Sequence, residues 1–598
     1  MHYLTTLFRI IRPINFKTPL DLYFTILIVC ILPLQLFPQS FTRITSGAIV
    51  TNGGNSGGSN WVDVNQDGWL DLFVANGNDI AQQNFLYLGS ASGEFTRITD
   101  GDIVTDAARS IGGTWGDYDN DGDPDLFVAN RGNQDNALYE NNGDGSFSKI
   151  TSGAIVTDGG DSNISHWLDI DNDGDLDLYV LNFNQANFLY RNDDGSFIKV
   201  TTGSAVTDVS PSISCVWADY DNDLDLDLFM SNGGNQNNVL YRNNGDFTFD
   251  KTVFSDGNSS LGGSWGDYDN DGDLDLFVAN FLDQNNLLYK NEGAPDYTLT
   301  RITTGDIVND GGRSVGTAWG DYDNDGDLDL YVGNHTQNNF YYANNGDGSF
   351  SKISSGDFVT NGGNTFGVSN GDFNRDGSLD IFAGNISNQN NDFYQNDGNA
   401  GHWARIICKG MTSNRSAIGT QVRIKAVIAG GSRWQMREIS AQTGYNSQNE
   451  TVAHFGLGDA GAIDSLLIQW PSGIQDIHTN LAVDGEITVA EGGGVTGLSN
   501  FSDQFPEKFA LHPNFPNPFN PETIIRYEIP AAAAVEIIIY NIAGETVRTL
   551  VQSVKEAGLH QIKWDGRDHF GRPVPSGVYV YRLRSNEFIA ANKMHLLR

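Results

Sequence analysis

With 598 residues the chain has room for three or four domains, each able to bury its own core. It carries 75 acidic against 35 basic residues, a formal net charge of −40, which repels nucleic-acid phosphates and anionic lipid and excludes both as partners. Gly (69 residues) and abundant Asn and Asp stand beside β-branched and aromatic residues, a composition of strands and tight turns rather than helices.

The chain opens with Arg9, Arg12 and Lys17, the apolar run Leu22 to Phe37, and polar Gln39-Ser40. That layout reads as a secretory signal over residues 1–40. The run is short for a bilayer crossing and contains Pro33, so the mature chain is expected to carry no membrane span, with an uncleaved anchor as the alternative. Cys30 lies in this leader, and Cys215 and Cys408 fall in different domains, so two buried free thiols are expected rather than a bridge.

From residue 41 to 400 one phrase recurs seven times, from WVDVNQDGWLDLFVANG through WGDYDNDGDLDLFVANF to NGDFNRDGSLDIFAGNI. A second phrase follows each copy, from NFLYLGS at Asn84 to NDFYQND at Asn391. A third, of the type FTRIT, begins at Phe41, Phe95, Phe147, Phe197, Phe247, Leu299 and Phe350. Each unit supplies several short alternating segments, and such a unit buries both faces of its sheet only by stacking on copies of itself. The third phrase opens the array yet does not recur after the seventh NDG at Asn396, so the first strand is expected to complete the last blade. This predicts an all-β fold led by a closed, seven-bladed β-propeller; a linear β-solenoid is the alternative.

The recurring loop reads D-x-[DN]-x-D-G-x-x-D. Oxygens at positions 1, 3, 5 and 9 can converge on a hard cation, and Gly at position 6 permits the sharp turn. The ligand sets so defined are Asp63, Asn65, Asp67 and Asp71; Asp117, Asp119, Asp121 and Asp125; Asp169, Asp171, Asp173 and Asp177; and Asp219, Asp221, Asp223 and Asp227. The last three are Asp267, Asp269, Asp271 and Asp275; Asp321, Asp323, Asp325 and Asp329; and Asp372, Asn374, Asp376 and Asp380. This donor set suits Ca2+, up to seven ions in a structural role, better than magnesium or zinc. Position 12 is apolar throughout, from Val74 to Ala383, where an EF-hand needs Glu. Position 7 adds Asp123, Asp175, Asp225, Asp273 and Asp327 to the charge of the loops. Asn65 and Asn374 replace the second carboxylate of the outer loops, and Leu224 replaces the glycine of the fourth, which is expected to weaken that site.

On these motifs residues 41–400 resemble the VCBS/FG-GAP repeats of integrin-α-type propellers, and that resemblance implies calcium at the positions just named. Residues 402–492, through SNRSAIGTQVRI, AQTGYNSQN, HFGLG and LLIQWPSG, resemble the UnbV/ASPIC domain of the cartilage acidic protein family. A linker is expected over 493–505. Residues 506–598, through HPNFPNPFNPETIIRYEIP and WDGRDHFGRPVPSGVYVYRL, resemble the sorting domain of type IX secretion substrates, implying an immunoglobulin-like sandwich and that secretion machinery as partner. A plain immunoglobulin-like spacer is the other reading.

Catalytic signatures are weak. Gly262 to Gly266 spells G-x-S-x-G, but neighbouring repeats carry GGTWG and GTAWG in the same place, so Ser264 occupies an ordinary blade position. Gly456 to Gly461 spells G-x-G-x-x-G with no helix expected after it. His166 and His335 each occur in one repeat and are expected as solvated loop residues. The tryptophans two residues before six of the loops (Trp61, Trp115, Trp167, Trp217, Trp265, Trp319) are expected between blades. The Asn/Gln-rich loops could read sugar hydroxyls or simply stabilise turns. The functional expectation is a secreted or cell-surface protein that binds an extracellular glycan or matrix protein and is not an enzyme; a polysaccharide-cleaving enzyme is the alternative.

Overall fold

In the computed structural model, residues 39–500 apart from 79 and 144, and most of 509–597, are described. The leader and Cys30 therefore lie outside the described residues. Five four-stranded antiparallel sheets and one eight-stranded sheet that holds blades six and seven form the propeller, and the first described strand closes blade seven. Their first strands are Ser56–Val62, Ser110–Gly116, Ser162–Leu168, Ser212–Ala218, Ser260–Gly266, Ser314–Gly320 and Gly363–Gly371. Each packs against the first strand of the next blade, and the seventh packs against the first. Strand Phe41–Ile44 pairs with Asp392–Asn396 in the register Phe41 to Asn396, so the opening phrase does complete blade seven. Blades six and seven are further joined by direct pairing of His335 with Asn364.

The tryptophans explain why neighbouring sheets stack. Trp115 meets Phe73 of the preceding blade at 6.0 Å, Trp217 meets Tyr179 at 5.2 Å, and Trp61 meets Phe382 of blade seven at 6.5 Å across the closure. Such pairs add about 0.5–1.5 kcal/mol each beyond the area they bury. Single helical turns such as Ala48–Thr51 link blades, each tucking two apolar residues into the core.

Residues 402–500 form a second, two-sheet unit. Its strands His402–Lys409, Ala453–Gly458 and Gly485–Ala490 face a sheet built on Gln421–Ile428, Gly431–Glu438 and Ile463–Gln469 across a common apolar core. The expected linker at 493–505 is corrected over its described part: Val495–Asn500 pairs with Gly485–Ala490, and Val495 packs against the core, while 501–505 lie outside the described residues. The glycines at 492–494 end one strand and turn into the next instead of releasing the chain. The third unit sets a three-stranded sheet against a four-stranded one, an immunoglobulin-like sandwich around Trp564 and Tyr581. Cys215 and Cys408 are buried and free. Among the described residues no helix is long and apolar enough to cross a membrane.

Candidate metal centres

Each loop leaves the end of a first strand and returns as the second strand. The position 1 carboxylate organises the turn between them. In loop six Asp321 Oδ1 accepts the Asp325 N–H at 3.0 Å and its Oδ2 accepts the Gly326 N–H at 2.9 Å; loop three repeats this on Asp169. Accepting both bonds requires a left-handed residue at position 6, and φ runs from 84° to 101° at Gly68, Gly122, Gly174, Gly272, Gly326 and Gly377. Leu224 adopts φ 77° at the same place and still donates to Asp219 at 3.0 Å, so the fourth loop keeps its shape at a steric cost.

Position 9 has two duties. Asp177 accepts the N–H of Ile170 at 3.1 Å and of Asn192, at the end of the third strand, at 2.8 Å; the same pair of bonds recurs on Asp71, Asp125, Asp275, Asp329 and Asp380. These aspartates tie loop, second strand and third strand together whether or not an ion is bound.

Five loops gather three carboxylates whose oxygens lie within 4.8 Å of one another: Asp117, Asp119 and Asp125; Asp169, Asp171 and Asp173; Asp219, Asp221 and Asp227; Asp267, Asp269 and Asp271; and Asp321, Asp323 and Asp325. Burial, with like charges behind it, pushes Asp117, Asp169, Asp219 and Asp267 up to about 7. Several buried oxygens in these groups have no hydrogen-bond partner, among them Asp117 Oδ1, Asp221 Oδ1, Asp323 Oδ1 and both oxygens of Asp267. Buried acceptors without donors are costly, and a cation at the focus of each loop would satisfy them. The donor set therefore fits a metal ion.

Loops one and seven gather no such triad of carboxylates among the described residues. Asn65 and Asn374 remove one charge from each. Loop seven has in addition received an internal cation: the Arg405 guanidinium, 3% exposed, lies 3.6 Å from Asp372 and bonds Glu450 at 2.5 Å and Glu486 at 2.8 Å.

Residue 4 of the loop, unremarked in the sequence, closes the ring. It is left-handed in all seven loops, at φ 53–58°. From there its side chain reaches the following blade: Asn120 donates to Asp175 at 2.9 Å, Asn172 to Asp225 at 2.9 Å, Asn222 to Asp273 at 2.7 Å and Asn270 to Asp327 at 2.7 Å. Gln66 reaches Gly122 O, Asn324 reaches Gly377 O, and Arg375 reaches Gly68 O at 2.9 Å across the closure. The position 7 aspartates thus serve as acceptors between blades. The signal was available, since Asn and Asp tolerate φ > 0, but its partner lies some fifty residues away.

The second unit sits on this face. Its segment 440–450 enters the propeller axis: Trp61 donates to Gln448 O at 3.1 Å, Gln448 N to Ser59 O at 3.0 Å, and Gln442 Nε2 to Gly113 O at 2.7 Å. Tyr445, buried, packs among Ile111 and Ala129 of blade two and Val315 of blade six. Glycines in the first strands make room for it; a Cβ on Gly58 would stand 1.8 Å from Asn446 O. Around this plug the unit touches position 1 residues directly. Ser416 accepts the Asp117 N–H, Glu438 the Asp219 N–H and Glu450 the Asp372 N–H, while Gly456 donates to Asp321 Oδ2.

The other candidates resolve as follows. His166 is not a solvated loop residue: it is 2% exposed on the first strand of blade three, its Nε2 lies 3.0 Å from Cys215 O, and burial holds it down to about 3. His335 is half-buried between Phe281 and Phe366 at the mouth opposite the plug. Ser264 is buried within blade five. The recurring amides form turns: Asn182 N donates to Asn187 Oδ1, Ser162 Oγ to Asn182 Oδ1 and Asp161 N to Gln185 Oε1, and equivalents recur in other blades.

Models of the FG-GAP-like repeat match residues 63–128, 117–180, 169–230, 219–278, 267–332 and 321–383, more than half of the chain. The chain belongs to the FG-GAP-like repeat family. Residues 410–496 match the ASPIC and UnbV model, and 522–587 match the FlgD Ig-like domain. No curated protein matches the chain. Among solved structures it is similar to PorZ of the Porphyromonas gingivalis type-IX secretion system, at 11% identity and TM-score 0.36 over 93% of this chain, but spans only 61% of that chain. It is also similar to an Agrocybe aegerita lectin described as recognising non-reducing terminal N-acetylglucosamine, at 18% identity and TM-score 0.40 over 57% of this chain and 93% of that one. Saccharomyces cerevisiae Sqt1 aligns at 12% identity and TM-score 0.38 over 60% and 98%.

Proposed function

We propose that this FG-GAP-like propeller is an exported, calcium-loaded binding protein whose ions are structural. The observation that carries the metal reading is the set of five carboxylate triads with unpartnered buried oxygens. The all-oxygen donor sets favour calcium, which takes six to eight oxygen ligands, over zinc. The bound ion would supply charge neutralisation; the chain's own residues shape the turns and link the blades.

Binding is favoured over catalysis because recurring polar side chains are already committed, the aspartates to the loops and the amides to turns. The metal-loop face is covered by the ASPIC-type domain, which directs partner binding to the opposite mouth. There the residue after the recurring Asn of each second strand varies from blade to blade, as Arg131, Phe183, Phe281, His335 and Ile386. The partner class we assign is an extracellular glycan or matrix protein. The immunoglobulin-like C-terminal unit is assigned the sorting role in type IX secretion, with a secreted or cell-surface destination.

The test is binding of the full chain to glycan and matrix-protein arrays with calcium and with EDTA, repeated with Phe281→Ala. Calcium-dependent binding weakened by that change supports the reading. Release of reducing ends from a polysaccharide, abolished by His335→Ala, would replace it with the enzyme reading.

A further inference from the structure

The seven loops are near copies, but the third strand that faces each of them is not. The residue after its tyrosine occupies one register position in every blade: Leu88, Glu140, Arg191, Arg242, Lys290, Ala343 and Gln395. In blades four and five this residue lies on the metal loop. Arg242 Nε is 2.5 Å from Asp221 Oδ2 and its Nη2 is 3.1 Å from Asp223 Oδ2. Lys290 bonds Asp269, and its Nζ is 2.9 Å from Asp271 Oδ2. Both therefore bridge positions 3 and 5, two of the carboxylates an ion needs. Blade six offers no such charge, because Ala343 stands there. In blade two Glu140 adds a negative neighbour beside Asp119. Arg191 of blade three approaches Asp193, outside its loop, at 3.9 Å and stands near Asp171 without bridging positions 3 and 5.

We propose that this third-strand position grades the calcium affinity of the blades, with Arg242 and Lys290 acting as built-in competitors that make loops four and five fill last. The inference rests on the calcium reading above. A cation entering loop five must displace an ammonium held by two carboxylates and then tolerate it nearby. A cation entering loop six displaces no such bridge, since Arg437 near Asp321 and Arg433 on Asp327 stand outside positions 3 and 5. Charge-assisted bonds are about twice as strong as neutral ones, so losing two of them lowers affinity on the order of tenfold to a hundredfold. Lys290 is 29% exposed and Arg242 49%, so both can swing into solvent once displaced, and the sites are weakened rather than abolished.

The experiment is a crystallographic calcium titration of the full chain, from about 10 μM to about 10 mM to bracket the range of extracellular calcium modules. Occupancy is read loop by loop from the anomalous signal of calcium, for the wild type, Lys290→Met and Arg242→Met. Loops two and six should reach half occupancy at about tenfold less calcium than loops four and five. Lys290→Met should move loop five alone into the early group, and Arg242→Met loop four alone. Simultaneous filling of all five loops in the wild type would overturn the grading while leaving the calcium reading intact. So would unchanged filling of loop five in Lys290→Met crystals. Failure of every loop to fill at the highest concentration would overturn both.

Discussion

Arg405→Met tests the claim that a guanidinium stands in for an ion at loop seven. Arg405 is 3% exposed and faces three carboxylates from three parts of the fold: Asp372 of the metal loop, Glu450 at the end of the plug and Glu486 of the ASPIC-type domain. Their side chains are 0%, 2% and 6% exposed, so water cannot take over the lost bonds. Glu486 keeps Arg375, and Glu450 keeps the Asp372 N–H. Asp372 keeps two loop N–H donors and faces Glu450 without an intervening cation. Breaking a buried ion pair by removing one partner costs about 3–5 kcal/mol, and methionine restores the volume but not the charge. The expected outcome is a loss of that size in urea unfolding followed by tryptophan fluorescence, with a fall in melting midpoint on the order of 5 °C. Raising calcium should recover part of the loss by supplying a cation to the vacated carboxylates. A loss below about 1 kcal/mol would show that the cluster is hydrated or relaxed, and the stand-in role would be wrong.

In EDTA, stability should fall as pH rises from about 4 to 9, because Asp117 and Asp169 hold protons to about 7, and Asp125 and Asp177 to about 9, whereas the unfolded chain releases them near 4. With about 10 mM calcium the same melts should be flatter and higher, a site with Kd near 1 mM contributing about 1.4 kcal/mol and a tighter one more; coincident curves would reject the metal sites. Leu224→Gly should raise stability by about 1 kcal/mol, since strain of about 1–2 kcal/mol is relieved against the entropy glycine adds to the unfolded chain. Because Leu224 already takes the left-handed turn and bonds Asp219, loop-four calcium affinity should hardly change, and a large gain in affinity without a gain in stability would contradict this. Deleting residues 506–598 should leave the midpoint of the rest unchanged and abolish release from a type IX-competent host; normal release would favour the spacer reading.

Much of the architecture was legible because each blade repeats its own instructions. The absent eighth FTRIT phrase announced the pairing of Phe41–Ile44 with Asp392–Asn396, and tryptophan spacing announced the packing between blades. The carboxylate clusters of five loops were legible as a spacing. What the spacing could not show was double use. Asp177 reads as a ligand because it is acidic and in register, yet its oxygens already hold two backbone N–H groups, and it lies outside the triad of its own loop. Asn120 reads as a turn former, and only the ring brings Asp175 of the next blade to its amide. His166 was misplaced because a lone polar residue in a repeat resembles a loop substitution, whereas register puts it on a strand directed at Cys215 O.

The repeat also hid its own asymmetry. A sequence that writes one loop seven times suggests seven equal sites, but a single domain cannot contact a seven-fold ring equally. The ASPIC-type domain places Ser416 on loop two, Glu438 on loop four, Gly456 on loop six and Arg405 on loop seven, each through a different strand or turn. Identical motifs thereby acquire different electrostatics: a hydroxyl, an additional carboxylate, a backbone N–H and a guanidinium. The third-strand residues Glu140, Arg242, Lys290 and Ala343 vary the inner side of the same loops. On the calcium reading proposed above, metal affinity would be set less by the D-x-D motif, which is common to the loops, than by what stands on either side of it.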